Sequence, residues 1–312
     1  MIENKDKFFI DEVLVAIESG KFDFPVLPDV ANRVRDLVNN SEVSAREVFA
    51  AISGDIAISA HLIKVANSAV YSDKPAVEHV HQAISRLGYM QVHNLVLELT
   101  LGKLLHTTNP LINQYLTRHW ARNCEVAAVS YVLAKDNRQF NADQAMLAGL
   151  LHNIGALPLC LYIEQAGIAL EEAQLCELVD RLQFRVGAML LRAWNFPATM
   201  VQMVEDNPVG AQATYADLVS LADLLVLSGV QTVDWSRVEA VRRLGLNVTY
   251  CESFLHQFAV QLDLARSLLG MEIQAEQDSH TPEVEPVVSR ARSKVKARVG
   301  LLARLANFFG LR

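Results

Sequence analysis

Apolar residues recur at intervals of three and four along nearly the whole 312-residue chain, and this pattern restricts the fold more than any single motif. Val80, Ala83, Ile84 and Leu87 follow it, as do Val92, Leu95, Val96 and Leu99. Such spacing lines one face of an α-helix, whereas a half-buried strand needs strict alternation, of which no convincing run occurs. The boundary signals agree. Ser44 followed by Glu47 fits a capping box, Asp55 fits an N-cap, and Gly20 and Gly88 sit where helix C-caps are expected. The pattern predicts roughly a dozen helices joined by short turns, which bury their apolar faces only by packing together as a compact all-α, multi-helix array.

Composition narrows the class further. Apolar residues make up 51% of the chain and charged residues 20%, the balance of a packed globule. No stretch approaches the run of about eighteen apolar residues that a membrane-spanning helix needs. The start, Met1 to Asp6, lacks the features of a secretory signal, so the expected location is cytoplasmic. Cys124, Cys160, Cys176 and Cys251 are widely separated and read as reduced core thiols. Residues 1–286 carry 21 Lys or Arg against 35 Asp or Glu, which argues against nucleic acid as a partner of the main body.

The charge reverses near the end of the chain, where residues 287–312 hold seven Lys or Arg and no acid. Residues 274–289, polar and with two prolines, read as a flexible linker. Residues 290–312 read as a basic amphipathic helix, with Val299, Leu301, Leu302, Leu305, Ala306, Phe308 and Phe309 on one side and Arg292, Lys296 and Arg304 opposite. Arg298 falls within the apolar sector. Two expectations stay open for this helix: peripheral contact with an anionic membrane, or docking on the acidic body or a second copy.

Three motif stretches occur together in the first half: FPVLP at Phe24 to Pro28, DIAISAHLIKVANSAVY at Asp55 to Tyr71, and AISRLG at Ala83 to Gly88. Asp55, Asn67, Ser68, Tyr71 and Gly88 carry the pattern. The chain resembles the HD-related output domain (HDOD) family, a bacterial signalling module and a degenerate relative of the HD metal-dependent phosphohydrolases. It departs from that pattern at Ile56, where proline is usual, and at Val26-Leu27. The match continues through His119-Trp120, the run Gly149 to Gly155, Val186 to Leu190, and Trp194 to Pro197. The resemblance implies an HD-type helical bundle over residues 22–225, with residues 1–21 as an N-terminal helix before it and residues 226–273 as helices packed after it.

In the HD enzymes, as the resemblance implies, a helix-borne His, an adjacent His-Asp pair and a later Asp hold a divalent metal. Here, by register, Arg122 stands in the place of the first His, and a guanidinium has no lone pair to offer. His152 keeps its place, but its partner is Asn153. Gln183 and Asn207-Pro208 stand where related enzymes have histidines, and only Asp223 matches the last acidic ligand. This set predicts neither a resident metal nor another cofactor. His152 reads as a hydrogen-bonded core histidine, and Asp223 as a partner of Arg122 or a helix cap. His79 and His81 have ligand-like spacing without acidic company, and His61, His93 and His106 are scattered.

The functional expectation is a non-catalytic signal-transduction or scaffold protein that binds a signalling protein. Two alternatives remain open. One is a metal-dependent phosphohydrolase acting on a nucleotide or phosphodiester with an atypical ligand set. The other is a sensor that binds a nucleotide ligand in the vacated cleft, with Arg122 as phosphate partner.

Overall fold

The structure is a computed structural model that describes residues 3–20, 22–38, 42–205 and 213–271. The expected linker, the basic helix after it and Asn207-Pro208 lie outside the described residues. Among the described residues there are fifteen α-helices, two short 3-10 turns and no strand. The first half comprises α1 (Glu3–Glu18), α2 (Asp29–Val38), α3 (Ala45–Ile52), α4 (Ile56–Ala66), α5 (Val80–Leu87), α6 (Tyr89–Leu104) and the long α7 (Pro110–Asn137). The second comprises α8 (Ala142–Leu151), α9 (Ala156–Gln165), α10 (Glu172–Ala193), α11 (Ala198–Val204), α12 (Tyr215–Ser228), α13 (Glu239–Arg243), α14 (Val248–Gln257) and α15 (Ala259–Leu268). The excess over a dozen comes from short elements such as α11 and α13, too brief for apolar periodicity to declare.

Local chemistry sets the ends. Ser44 and Glu47 exchange both bonds of a capping box, and the Asp55 side chain accepts from the Ile58 amide at 3.0 Å. Gly88 ends α5 and opens α6 at φ +81°, a conformation that strains any residue with a Cβ. Asn109 caps α7 by accepting from Leu111 and Ile112, and Pro110 takes the first helical position, where no amide is needed.

The α7 helix is the axis of the bundle. It packs along α8 and α12, with α15 and α9 also against it, while α2, α4 and α5 gather around α6. Gly149 lets α8 approach closely: a Cβ there would lie 2.6 Å from the Ala127 Cα. Residues 142–165 are long and apolar enough to cross a membrane, yet 89% of that window is buried inside the bundle and the turn between α8 and α9 breaks it. Its apolarity belongs to the core. Ile58, Leu62, Leu95, Leu101 and Leu116 are completely buried, each contributing on the order of 1.5–3 kcal/mol.

Candidate functional site

The sequence run from Gly149 to Gly155 becomes the end of α8 and the tight turn into α9. His152 and Asn153 lie in that turn, 7% and 8% exposed. The turn is compact because Gly155 has no side chain: a Cβ there would lie 1.9 Å from the Gln183 carbonyl oxygen and 2.6 Å from the Gly187 amide. The backbone of α10 therefore rests directly on the turn, bringing Gln183 up to it.

Arg122, on α7, reaches across to Asp223, on α12. Its Nε donates to Oδ1 at 2.8 Å and a terminal nitrogen donates to Oδ2 at 2.9 Å, a two-pronged match of fork to carboxylate. Burial pushes the Asp223 carboxyl up, but the Arg122 charge, the nearby His152 and the hydrogen bond from Arg122 outweigh it, holding the group below its usual range.

His152 faces the same carboxylate. Its Nδ1 lies 2.7 Å from the Gly149 carbonyl, which only accepts, so Nδ1 carries the proton and Nε2 is a bare lone pair. That Nε2 has no hydrogen-bond partner and lies 3.9 Å from Asp223 Oδ1. Burial depresses the His152 basicity more than Asp223 and the Gly149 carbonyl support it. His119, one turn before Arg122, donates from Nε2 to the Asn153 carbonyl at 3.2 Å and stacks on Tyr115 at 5.5 Å between centroids. Burial and neighbouring His152 push it down to about 4, so both imidazoles are neutral at pH 7. Asn153 Oδ1 and Gln183 Oε1, both buried, also lack donors.

Arg122, His152 and Asp223 thus meet directly, with Asn153 and Gln183 on the adjoining turn and helix. A divalent metal does not fit this set. The guanidinium takes up both oxygens of the one carboxylate positioned to ligate, and no group of three His, Cys, Asp or Glu that could hold an ion occurs among the described residues. His79 and His81 stack on each other, centroids 5.9 Å apart. His93 is buried on α6, 3% exposed, with neither ring nitrogen bonded.

The other motif residues sit elsewhere. Asn67 ends α4, Ser68 precedes the 3-10 turn Ala69–Tyr71, Asp55 caps α4 and Gly88 joins α5 to α6. Sequence reasoning missed a cleft of about 380 Å³, lined by Phe24, Pro25, Val26, Leu27, Asn32, Arg35, Ala193, Trp194 and Asn195. The Trp194 indole donates to the Pro25 carbonyl at 2.7 Å, and Arg35 donates to the Trp194 carbonyl. The two matched stretches FPVLP and Trp194 to Pro197 are therefore neighbours in space. Their shared aromatic and proline content was the available signal.

The HDOD-domain profile matches residues 24–207, more than half of the chain and all of α2 to α11. The chain belongs to the HDOD-domain family. Among solved structures, this HDOD chain is similar to a Shewanella amazonensis SB2B protein provisionally named a metal-dependent phosphohydrolase, with 25% identity, TM-score 0.72, and 85% of this chain and 99% of that one covered. It also shares its fold with a Marinobacter aquaeolei VT8 protein provisionally named for signal transduction, at 22% identity and TM-score 0.60, covering 79% of this chain and 59% of that one. An uncharacterized protein of Treponema pallidum (strain Nichols) is 26% identical over 215 residues, 64% of this chain and 40% of that protein, so the HDOD chain spans less than half of that relative.

Proposed function

We propose that this HDOD chain is a non-catalytic signal-transduction or scaffold protein that acts by binding a signalling protein. The observation that carries the reading is the double hydrogen bond from Arg122 to Asp223, which puts a fixed cation on the carboxylate a catalytic metal would need. Family membership and the signalling name of the Marinobacter neighbour point the same way. Purified protein is expected to hold less than stoichiometric transition metal and to leave nucleotides and phosphodiesters intact with manganese or magnesium supplied. Metal-dependent turnover that disappears in His152→Ala would overturn the reading.

The Shewanella neighbour's name favours the alternative, a phosphohydrolase. Arg122, Asn153 and Gln183 count against it, because three of the positions that would hold the ion carry a guanidinium or a neutral amide. A nucleotide held through Arg122 has weaker support as well, since two of the donor nitrogens already serve Asp223. The peripheral membrane contact proposed for residues 290–312 rests on sequence alone. Sedimentation with anionic vesicles, comparing the full chain with a truncation ending at Gln274, tests it: salt-sensitive binding lost with the tail supports the contact, and no binding at low salt removes it.

A further inference from the structure

The cleft beside FPVLP is held open by its own hydrogen bonds. Trp194, which closes α10, donates its indole N–H to the Pro25 carbonyl at 2.7 Å, and Asn32 on α2 donates to the Leu27 carbonyl at 2.8 Å. The loop is tied to two helices at once, with a concavity of about 380 Å³ between them. That size lies at the low end of the roughly 300–1,000 Å³ of ligand pockets, so it suits one or two inserted side chains better than a dinucleotide. The buried Arg35 already bonds Asp36 and the Trp194 carbonyl, so the cleft calls for apolar cover and not for a counter-ion. Val26 lies at its mouth, 76% exposed. Ile56, Val248 and Val260 are exposed too, but along helices, where a lone apolar side chain is ordinary. An apolar side chain at the rim of a preformed hollow marks a surface that gains by being covered.

The chain carries a segment suited to cover it. Residues 287–312 hold seven Lys or Arg and no acid, against 35 acids and 21 bases in residues 1–286, so the segment is drawn to its own body. Its helical pattern gathers Leu301, Leu302, Leu305, Phe308 and Phe309 on one side. The described body ends at Met271, and the 27 residues 272–298 span up to about 90 Å. A body of this length has a radius of gyration of about 18 Å, so the cleft is within reach. Tethering supplies an effective concentration on the order of millimolar, which favours the chain's own segment over a free partner of equal affinity.

We propose that the amphipathic segment at residues 299–312 docks on its own body and inserts its phenylalanine end into the cleft between FPVLP and the end of α10. A signalling partner that uses this cleft must then displace the segment first. The membrane contact of residues 290–312 would use the same apolar side, so dock and membrane exclude each other. The proposal does not depend on the non-catalytic reading, which concerns the Arg122 site.

Amide hydrogen exchange at Val26 tests the dock in the full chain without lipid, beside a full-length variant carrying Phe308→Ala and Phe309→Ala. The Val26 amide donates no hydrogen bond among the described residues, so its exchange responds to cover. Losing the burial of two phenylalanines weakens the dock by about tenfold or more. Exchange in the unsubstituted chain is therefore expected to be slower than in the variant by about threefold or more, and unchanged over about a hundredfold range of protein concentration. Equal rates in the two chains would overturn the proposal. Protection that grows with concentration would assign the cleft to a second copy and overturn it as well.

Discussion

Asn67 and Val77 bond each other twice: the Asn67 amide nitrogen donates to the Val77 carbonyl at 2.8 Å, and the Val77 amide donates to Asn67 Oδ1 at 2.7 Å. One side chain thereby imitates a strand neighbour and pins the loop that follows α4. Arg86 secures the same loop by donating to the Ala66 carbonyl at 2.9 Å and to the Pro75 carbonyl. Asn67→Ala should lower unfolding free energy by about 1–3 kcal/mol, since two partly buried backbone groups lose their partner. Asn67→Asp, which keeps the acceptor and loses the donor, should fall between. Urea titration of both variants measures this. An unchanged midpoint with lost partner binding would make the motif a recognition site.

Gly155→Ala should be among the most damaging single-methyl changes in the chain, because the new carbon would meet backbone that cannot rotate away. A loss of about 3 kcal/mol or more, or failure to fold, is expected. Gly187→Ala is milder: the nearest atom to its Cβ is the Val204 Cγ1 at 3.0 Å, a side-chain methyl that can shift. Parallel thermal melts should rank the two in that order.

The Arg122 and Asp223 side chains are 23% and 27% exposed, so solvent tempers both the attraction and the cost of breaking it. Arg122→Met and Asp223→Leu should each cost about 1–3 kcal/mol, and the double variant less than their sum. A double-mutant cycle with coupling near zero would refute the pair as a brace between α7 and α12.

Acid should loosen the fold through its histidines. Burial, with a smaller push from the Arg35 charge, lowers His93 to about 4, from an ordinary value of 6.5. A depressed histidine stabilises the fold above its unfolded value, and that contribution is lost as pH falls from 6.5 through about 4. For His93 the loss is on the order of 2–3 kcal/mol, and His119 adds to it over the same window. Melts at pH 7.5, 5.5 and 4.5 should show this slope, and His93→Phe should flatten it.

Glu98 works in the opposite sense. Burial raises its carboxyl to about 7 from 4.5, and its Oε2 has no partner. The protonated form is the one the fold prefers, so its contribution is present below 4.5 and is lost as pH rises to about 7. Glu98→Gln should therefore gain stability at pH 8, on the order of 2 kcal/mol, and little at pH 4.5. No gain at pH 8 would show that Glu98 is better solvated than its burial implies.

Much of the architecture is legible in the sequence. Ser44 with Glu47 and Asp55 announce helix starts because capping depends on residues three apart, and the α5 and α6 stripes announce faces because burial follows the helical repeat. What sequence could not supply was distance between remote residues. Arg122 and Asp223 are 101 positions apart, and their bidentate geometry depends on how α7 and α12 cross. The contact of Gly155 with Gln183 was equally hidden, because nothing about a glycine in a sequence says which backbone it admits. The polar side of α6, with His93 buried, Glu98 half-buried and both incompletely bonded, was invisible for a further reason: the same residue types on an exposed face would look identical.

The brace across α7 and α12 sets the conditions under which this helical bundle persists. A bundle fastened by a dissociable ion is assembled only while that ion is supplied, and a chelator or a period of starvation can unfasten it. The guanidinium of Arg122 cannot diffuse away, since its local concentration at Asp223 is fixed by covalent attachment to the chain. The fastening is thus present from the moment of folding and indifferent to the cell's metal economy, which leaves acidity and ionic strength as the conditions that act on it.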